Sequence, residues 1–254
     1  MKDCDCYNFK LINRTDDPIL KNVDLAIVLT MENSSRKFDD LVLLNLAPLT
    51  YVQINKGFKK CNKPGVNSVV ADVIHAHKNI CKNTTEYKNV LIFEDDAKYN
   101  HKYSTDEFKS IDNFIRDNTF NLYSLGNVSI NLPSISDHRQ ILAGFGGSHA
   151  IIYSPEGRMK LLHASGHMID TDLISSIPNK FKHKYPLVCQ TFPDTEQKKE
   201  WEHLPGASIF CHITKFLNGD KVIEPFWSSM YLICDCCVYI VILVIILIII
   251  KCYN

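Results

Sequence analysis

Glycine and proline are scarce, ten of each in 254 residues, which excludes collagen-like repeats and the composition of flexible linkers. Neither sign of charge is in excess. The 28 Lys+Arg balance 28 Asp+Glu, so there is no basic field for bulk nucleic-acid binding, and no nucleic-acid partner is expected. At 46% hydrophobic and 22% charged residues the chain is not a disordered polyelectrolyte either. An apolar run of signal-peptide type is missing at the start. Met1-Lys2-Asp3-Cys4-Asp5 is charged, and the first apolar stretch, Val23 to Thr30, is short and contains Asp24. Zinc-finger cysteine spacing is missing too. Of the ten cysteines, Cys234, Cys236, Cys237 and Cys252 lie in or beside an apolar tail. Cys4, Cys6, Cys61, Cys81, Cys189 and Cys211 show no metal-binding pattern, so free thiols in a reducing compartment are expected. Gly144, Gly146 and Gly147 lack the spacing of a dinucleotide fingerprint.

The carboxyl-terminal segment is what the chain has in abundance. Tyr231 to Ile250 carries one charge, Asp235, and Val238 to Ile250 is apolar without a break. Twenty helical residues span roughly 30 Å, the thickness of a bilayer core. The Val, Ile and Leu residues of that run contribute roughly −4 to −7 kcal/mol on an insertion scale, against about 3 for one Asp at a helix centre and less near an end. Insertion wins. The expected organisation is an amino-terminal extension (1–22), one domain (23–229) and a single-pass membrane anchor (231–250), with the domain on the cytosolic side. Four Asn-x-Ser/Thr sequons, at Asn13, Asn33, Asn83 and Asn127, would favour a lumenal domain if used; in an Asn-rich chain they arise readily by chance.

Within the domain, Val23 to Thr30 reads as a strand and Met31 to Phe38 as a loop. Leu41 to Leu46 is compatible with helix or strand, and Thr50 to Ile54 alternates with period two. Val66, Val69, Val70, Val73, Ile74 and His77 fall at helical spacing, with a start near Asn67 or Ser68. Val90 to Phe93 is a short buried strand, a helix is expected over 105–116, and Tyr123 to Leu125 and Ala150 to Tyr153 read as strands. The second of these follows a Gly-Phe-Gly-Gly loop, and a helix opens at Pro155 after Ser154. The order of strands and helices predicts an α/β sheet covered on both faces.

The strand Val90 to Phe93 ends abruptly in Glu94-Asp95-Asp96. Three adjacent carboxylates must be solvated, paired or bound to a cation, because uncompensated they raise one another's pKa. Ligands bind at the carboxyl ends of strands in α/β sheets, and hard cations prefer oxygen ligands. Glu94 and Asp96 are therefore candidate ligands for Mn²⁺ or Mg²⁺; a solvated turn is the plainer alternative.

Leu91-Ile92-Phe93-Glu94-Asp95-Asp96-Ala97 resembles the core motif of glycosyltransferase family 25, which includes bacterial lipooligosaccharide glycosyltransferases and collagen galactosyltransferases, with related proteins in large DNA viruses. Further segments keep that family's order. They are the strand Val23 to Thr30 with Arg36, His75 (with Ile74 where the family has serine), Gly147-Ser148-His149-Ala150, and Ser154, Gly157 and Leu161-Leu162. Ile169-Asp170, Pro193-Asp194-Thr195-Glu196 and Trp201 complete the series. The resemblance implies a GT-A-like mixed sheet flanked by helices, a nucleotide-sugar donor (UDP-sugar), and Mn²⁺. It also implies transfer of a hexose to a glycan or protein hydroxyl acceptor with inversion. By the same resemblance Asp170 is the candidate base, with Asp172 as substitute and a helix-capping role as the alternative. Asp95 is a candidate for the ribose or donor sugar, and Arg36 for the nucleotide. His149 is a candidate for donor phosphate or metal, and Asp194 and Glu196 for donor or acceptor. His77 reads as a core histidine. The rival from another class is a membrane-anchored binding or scaffolding module without turnover.

Overall fold

The computed structural model describes residues 6–192 and 207–253. Four buried strands set the frame: β2 (Leu25–Met31), β4 (Val90–Glu94), β6 (Leu122–Ser124) and β9 (Ala150–Tyr153), where β1 (Tyr7–Arg14), β3 (Leu49–Asn55) and β5 (Ala97–Tyr99) precede or intervene in the chain. Strand β2 shows why a continuous apolar run suits this position. Its alternate side chains enter two separate cores, Ala26 and Val28 on one face, Leu25, Ile27 and Leu29 on the other.

With β7 (Val128–Asn131), β8 (His138–Gly146) and β10 (Lys180–His183), these strands form one nine-stranded mixed sheet. The order is β1-β3-β2-β4-β9-β6-β10-β8-β7; β5 pairs separately with β11 (Val188–Gln190). Strands β3, β2 and β4 run parallel, and β9 runs against β4 and β6. The carboxyl ends of β2, β3, β4 and β6 thus share one edge with the start of β9. On one face lie α1 (Asp39–Leu43) and α3 (Asp106–Asp117), which buries Phe108, Ile111 and Ile115. On the other lie α2 (Val69–Asn83) and α4 (Pro155–His163), burying Ala76, Ile80 and Leu161. Both of these helices start as their sequences predict. Ser68 Oγ accepts from the Ala71 N–H at 3.1 Å, and Ser154 Oγ from that of Gly157 at 3.1 Å. Gly157 is required for a second reason: a Cβ there would lie 1.8 Å from the Asn121 carbonyl oxygen.

Several expectations change. The expected amino-terminal extension contains a strand of the sheet, because β1 pairs antiparallel with β3 from Tyr7↔Asn55 to Arg14↔Leu49. The Gly-Phe-Gly-Gly segment is mostly the end of β8, and only Gly147, at φ +105°, takes a left-handed backbone. Cys6 and Cys61 are not free thiols. They form a disulfide with Cα atoms 5.5 Å apart, while Cys81, Cys189, Cys211 and Cys236 are free thiols.

The carboxyl-terminal helices are continuous with the domain. Helix α5 (Ala207–Phe216) and the start of α6 (Phe226–Tyr253) build a third core in which Phe226, Trp227, Met230 and Tyr231 are buried with Cys189. Helix α6 is long and apolar enough over Phe226–Ile248 to cross a membrane. No linker separates it from the domain.

Candidate functional site

The acidic triplet leaves β4 at the shared carboxyl edge, and its three members have different surroundings. Asp95 is 6% exposed. Its Oδ2 accepts from Thr30 Oγ1 at 2.6 Å and Ser34 Oγ at 2.8 Å, and its Oδ1 pairs with the Arg36 guanidinium at 2.6 Å. Both oxygens have protein donors, so Asp95 ties the 31–38 loop to the strand end. Arg36 also reaches Asp96 Oδ2 at 3.3 Å. Burial alone would lower the Arg36 pKa, but the Asp96 and Asp95 charges raise it.

Asp96 is compensated on one side only. Its Oδ1 is buried with no hydrogen-bond partner. Burial, with the neighbouring Glu94 charge, pushes its carboxyl up to about 7. Glu94 is held from behind: Oε1 accepts from Ser148 Oγ at 2.5 Å and lies 3.3 Å from His77 Nε2. Burial would raise its pKa, yet the His77 and Ser148 hydrogen bonds outweigh it and hold Glu94 below the ordinary carboxylate range. His77 is indeed buried among core residues, but it touches the site, a contact its helical position alone did not reveal. Its Nδ1 has no partner.

Asp170 joins this group from a π-helical turn, Ile169–Ile174. Its Oδ2 accepts from the Gly147 N–H at 3.3 Å, while Oδ1 is buried and unpartnered. Burial, then the Glu94 charge, raises its carboxyl to about 6. The capping role falls to Asp172, which accepts from the His167 and Met168 N–H groups at 2.7 and 3.0 Å. Those bonds hold its pKa low. His149 is fully buried behind the carboxylates. Its Nε2–H donates to the Val188 carbonyl at 2.9 Å and its ring meets Trp227 edge to face at 5.2 Å. Burial lowers its pKa to about 4 and favours the neutral ring. His75 lies elsewhere, its Nδ1 2.6 Å from the Tyr7 hydroxyl. Asp194 and Glu196, with Trp201, lie outside the described residues.

A groove of about 530 Å³ opens beside Arg36, floored by β1, β3 and β2 and walled by the 31–38 loop. Lys10, Arg36 and Lys56 line it against one acid, Glu32, which is already paired with Lys60 at 3.1 Å. Arg36 is likewise paired, with Asp95 and Asp96, so the positive surplus of the groove rests on Lys10 and Lys56, and Phe38, Val52 and Ile54 give it an apolar side.

Among the described residues, a tight grouping of potential metal ligands occurs at a second place. Glu107 of α3, Asp137 and His183 of β10 present ligand atoms within 4.8 Å of one another, close enough to hold a metal ion. Their positions in the chain share no spacing motif, which is why sequence reading missed them. Two features weaken the site. Asp137 is paired with Lys184 at 2.6 Å. The His183 Nδ1 accepts from the Tyr185 N–H at 3.2 Å, which places the ring proton on Nε2 facing Glu107.

No protein-family model matches the chain, and no curated protein matches it in sequence. Among solved structures, one described as the crystal structure of A197 from STIV is similar over 63% of this chain and 81% of that one. The identity is 12% and the TM-score 0.38, a likeness too low to carry an argument about fold or function.

Proposed function

We propose that this protein is a membrane-anchored, metal-dependent glycosyltransferase with a GT-A-like domain, moving a hexose from a nucleotide-sugar, probed first as UDP-sugar, to an acceptor hydroxyl. One observation carries the reading: Asp96 and Asp170 each leave a buried carboxylate oxygen without a partner at the strand edge, a few residues from a cationic groove. Such oxygens are costly unless a cation satisfies them. A Mn²⁺ or Mg²⁺ ion held by Asp96, with Glu94 direct or through water, would neutralise charge developing on a diphosphate leaving group. Arg36, half-exposed at the groove mouth, adds a fixed positive charge for the same diphosphate. Asp170, with a pKa near 6, is ionised at neutral pH yet basic enough to accept the acceptor's proton during displacement. Ser148 and His77 hold Glu94 in one orientation. The Cys6–Cys61 bridge supports placing the domain in an oxidising compartment, against the cytosolic side expected from free thiols.

The competing reading, a binding module without turnover, is favoured by the Arg36 contacts, since an internal cation already compensates Asp95 and part of Asp96. Purified full-length protein in detergent, screened against common UDP-sugars with Mn²⁺ for release of free UDP, separates the two. UDP release that Asp170→Asn abolishes supports the transferase. No release with any donor, together with no thermal shift from UDP plus Mn²⁺, leaves the module.

A further inference from the structure

Helix α6 is docked along the domain by one stripe at four-residue spacing. Trp227 Nε1 donates to the Gln190 carbonyl at 2.8 Å. One turn on, the Tyr231 hydroxyl accepts from the Asn127 N–H at 3.1 Å, and its ring lies 3.8 Å from the Lys182 ammonium. A further turn on, Asp235, the one charge in the apolar segment, pairs with Arg139 of β8. The stripe fixes direction: from the start of β7 the helix climbs towards the β7–β8 turn, residues 132–137. The next turns of α6 rise beside that turn, and its apolar side chains are bare. Ile135 is fully exposed, and Leu132 is 41% exposed.

The length of free helix supplies the second constraint. Beyond Asp235, Cys236 to Ile250 precede Lys251. At 1.5 Å per residue these span about 22 Å, against roughly 30 Å for a bilayer core. A helix whose lower turns are locked into the domain cannot supply the difference, so the bilayer edge comes down to the level of the last docked turn and local thinning takes up the remaining shortfall. The last docked turn is at the level of the β7–β8 turn.

We propose that the β7–β8 turn is a second membrane contact, with Leu132 and Ile135 seated in the lipid boundary beside α6. The domain is thereby held at a fixed tilt instead of swinging on its anchor. This rests on the membrane reading of α6, not on the transferase reading. Strand β1 lies at the opposite edge of the nine-stranded sheet, eight strand spacings or about 40 Å away across the sheet, so the groove is displaced sideways from α6.

The test uses full-length protein in phosphatidylcholine nanodiscs, with and without bromine on the lipid acyl chains. Three variants are compared after subtraction of the unsubstituted protein: Ile135→Trp at the turn, Ile246→Trp in the anchor, and Asp16→Trp beyond β1. Acyl bromines are expected to quench the added fluorescence at 135 and 246 by about twofold or more, and to leave 16 unchanged. Quenching at 246 with 135 as unaffected as 16 overturns the second contact and leaves the anchor. No quenching at either 135 or 246 overturns both.

Discussion

Asp95 and Asp96 are adjacent, yet one is saturated by protein donors and the other keeps an empty oxygen. The contrast makes opposite predictions. Asp95→Ala strands Thr30, Ser34 and Arg36 together and is expected to cost roughly 2–4 kcal/mol in urea unfolding, with detachment of the 31–38 loop. For Asp96 the sign reverses. Its folded pKa, about 7, lies above the ordinary carboxylate value, so the native state holds an extra proton through the interval between the two. In metal-free protein that contribution to stability is fully present near pH 4 and lost as pH rises through about 7. The thermal midpoint should therefore fall from pH 5 to pH 8, and Asp96→Asn should flatten the fall; each kcal/mol recovered corresponds to about 2–4 °C. Added Mn²⁺ should raise the midpoint at pH 8 in the parent and not in Asp96→Asn. A steeper fall in the variant would refute the assignment. The acidic run is plain in sequence because it interrupts a buried strand. Which acid stays free is not, because the partners that decide it, Thr30, Ser34 and Arg36, come from about sixty residues earlier.

Among elements, those with one strong local signal are the legible ones. Strands β2, β4 and β9 announce themselves by apolar runs, and α2 and α4 by periodicity and a serine cap. Strands β8 and β10 are polar or mixed, and β5 and β11 are three residues each, so their identity comes from pairing partners distant in the chain. Strand β1 did carry a signal, the alternation of Tyr7, Phe9 and Leu11 with Asn8 and Lys10. Helix α6 shows the limit of hydropathy, which detects a span without showing where the domain stops holding it. Because Met230 and Tyr231 are buried in the third core, a chain cut after Met230 should be destabilised and recovered mostly as aggregate. One cut after Cys237, which keeps the Tyr231 and Asp235 contacts, should give a monodisperse soluble domain on gel filtration. Equal behaviour of the two would mean that the Tyr231 and Asp235 contacts contribute nothing to folding.

For the molecule as a whole, the groove and helix α6 lie at opposite ends of the sheet, and the groove end carries a disulfide. Strand β1, its outermost floor strand, has few neighbours of its own: an edge strand paired with β3 alone. Three contacts at its start compensate. The Cys6–Cys61 bridge closes a 55-residue separation, the Tyr7 hydroxyl meets His75, and Lys63, paired with Asp72 and Asn55, lies 4.6 Å from the Tyr7 ring centre. A loop of that length gives a chain-entropy stabilisation of up to about 4 kcal/mol. Replacing both cysteines by serine should therefore lower the urea midpoint substantially, and the loss should be felt first at β1. Amide exchange at Phe9 and Leu11 should accelerate more than at Ile27 or Ile92, whose strands are buried between two helical layers. If the groove binds a nucleotide through Lys10 and Arg36, affinity for UDP should fall in the same variant before global unfolding, because Lys10 rides on the freed strand while Arg36 stays pinned by Asp95. Unchanged exchange at Phe9 with a lowered global midpoint would mean instead that the bridge acts only on the unfolded chain.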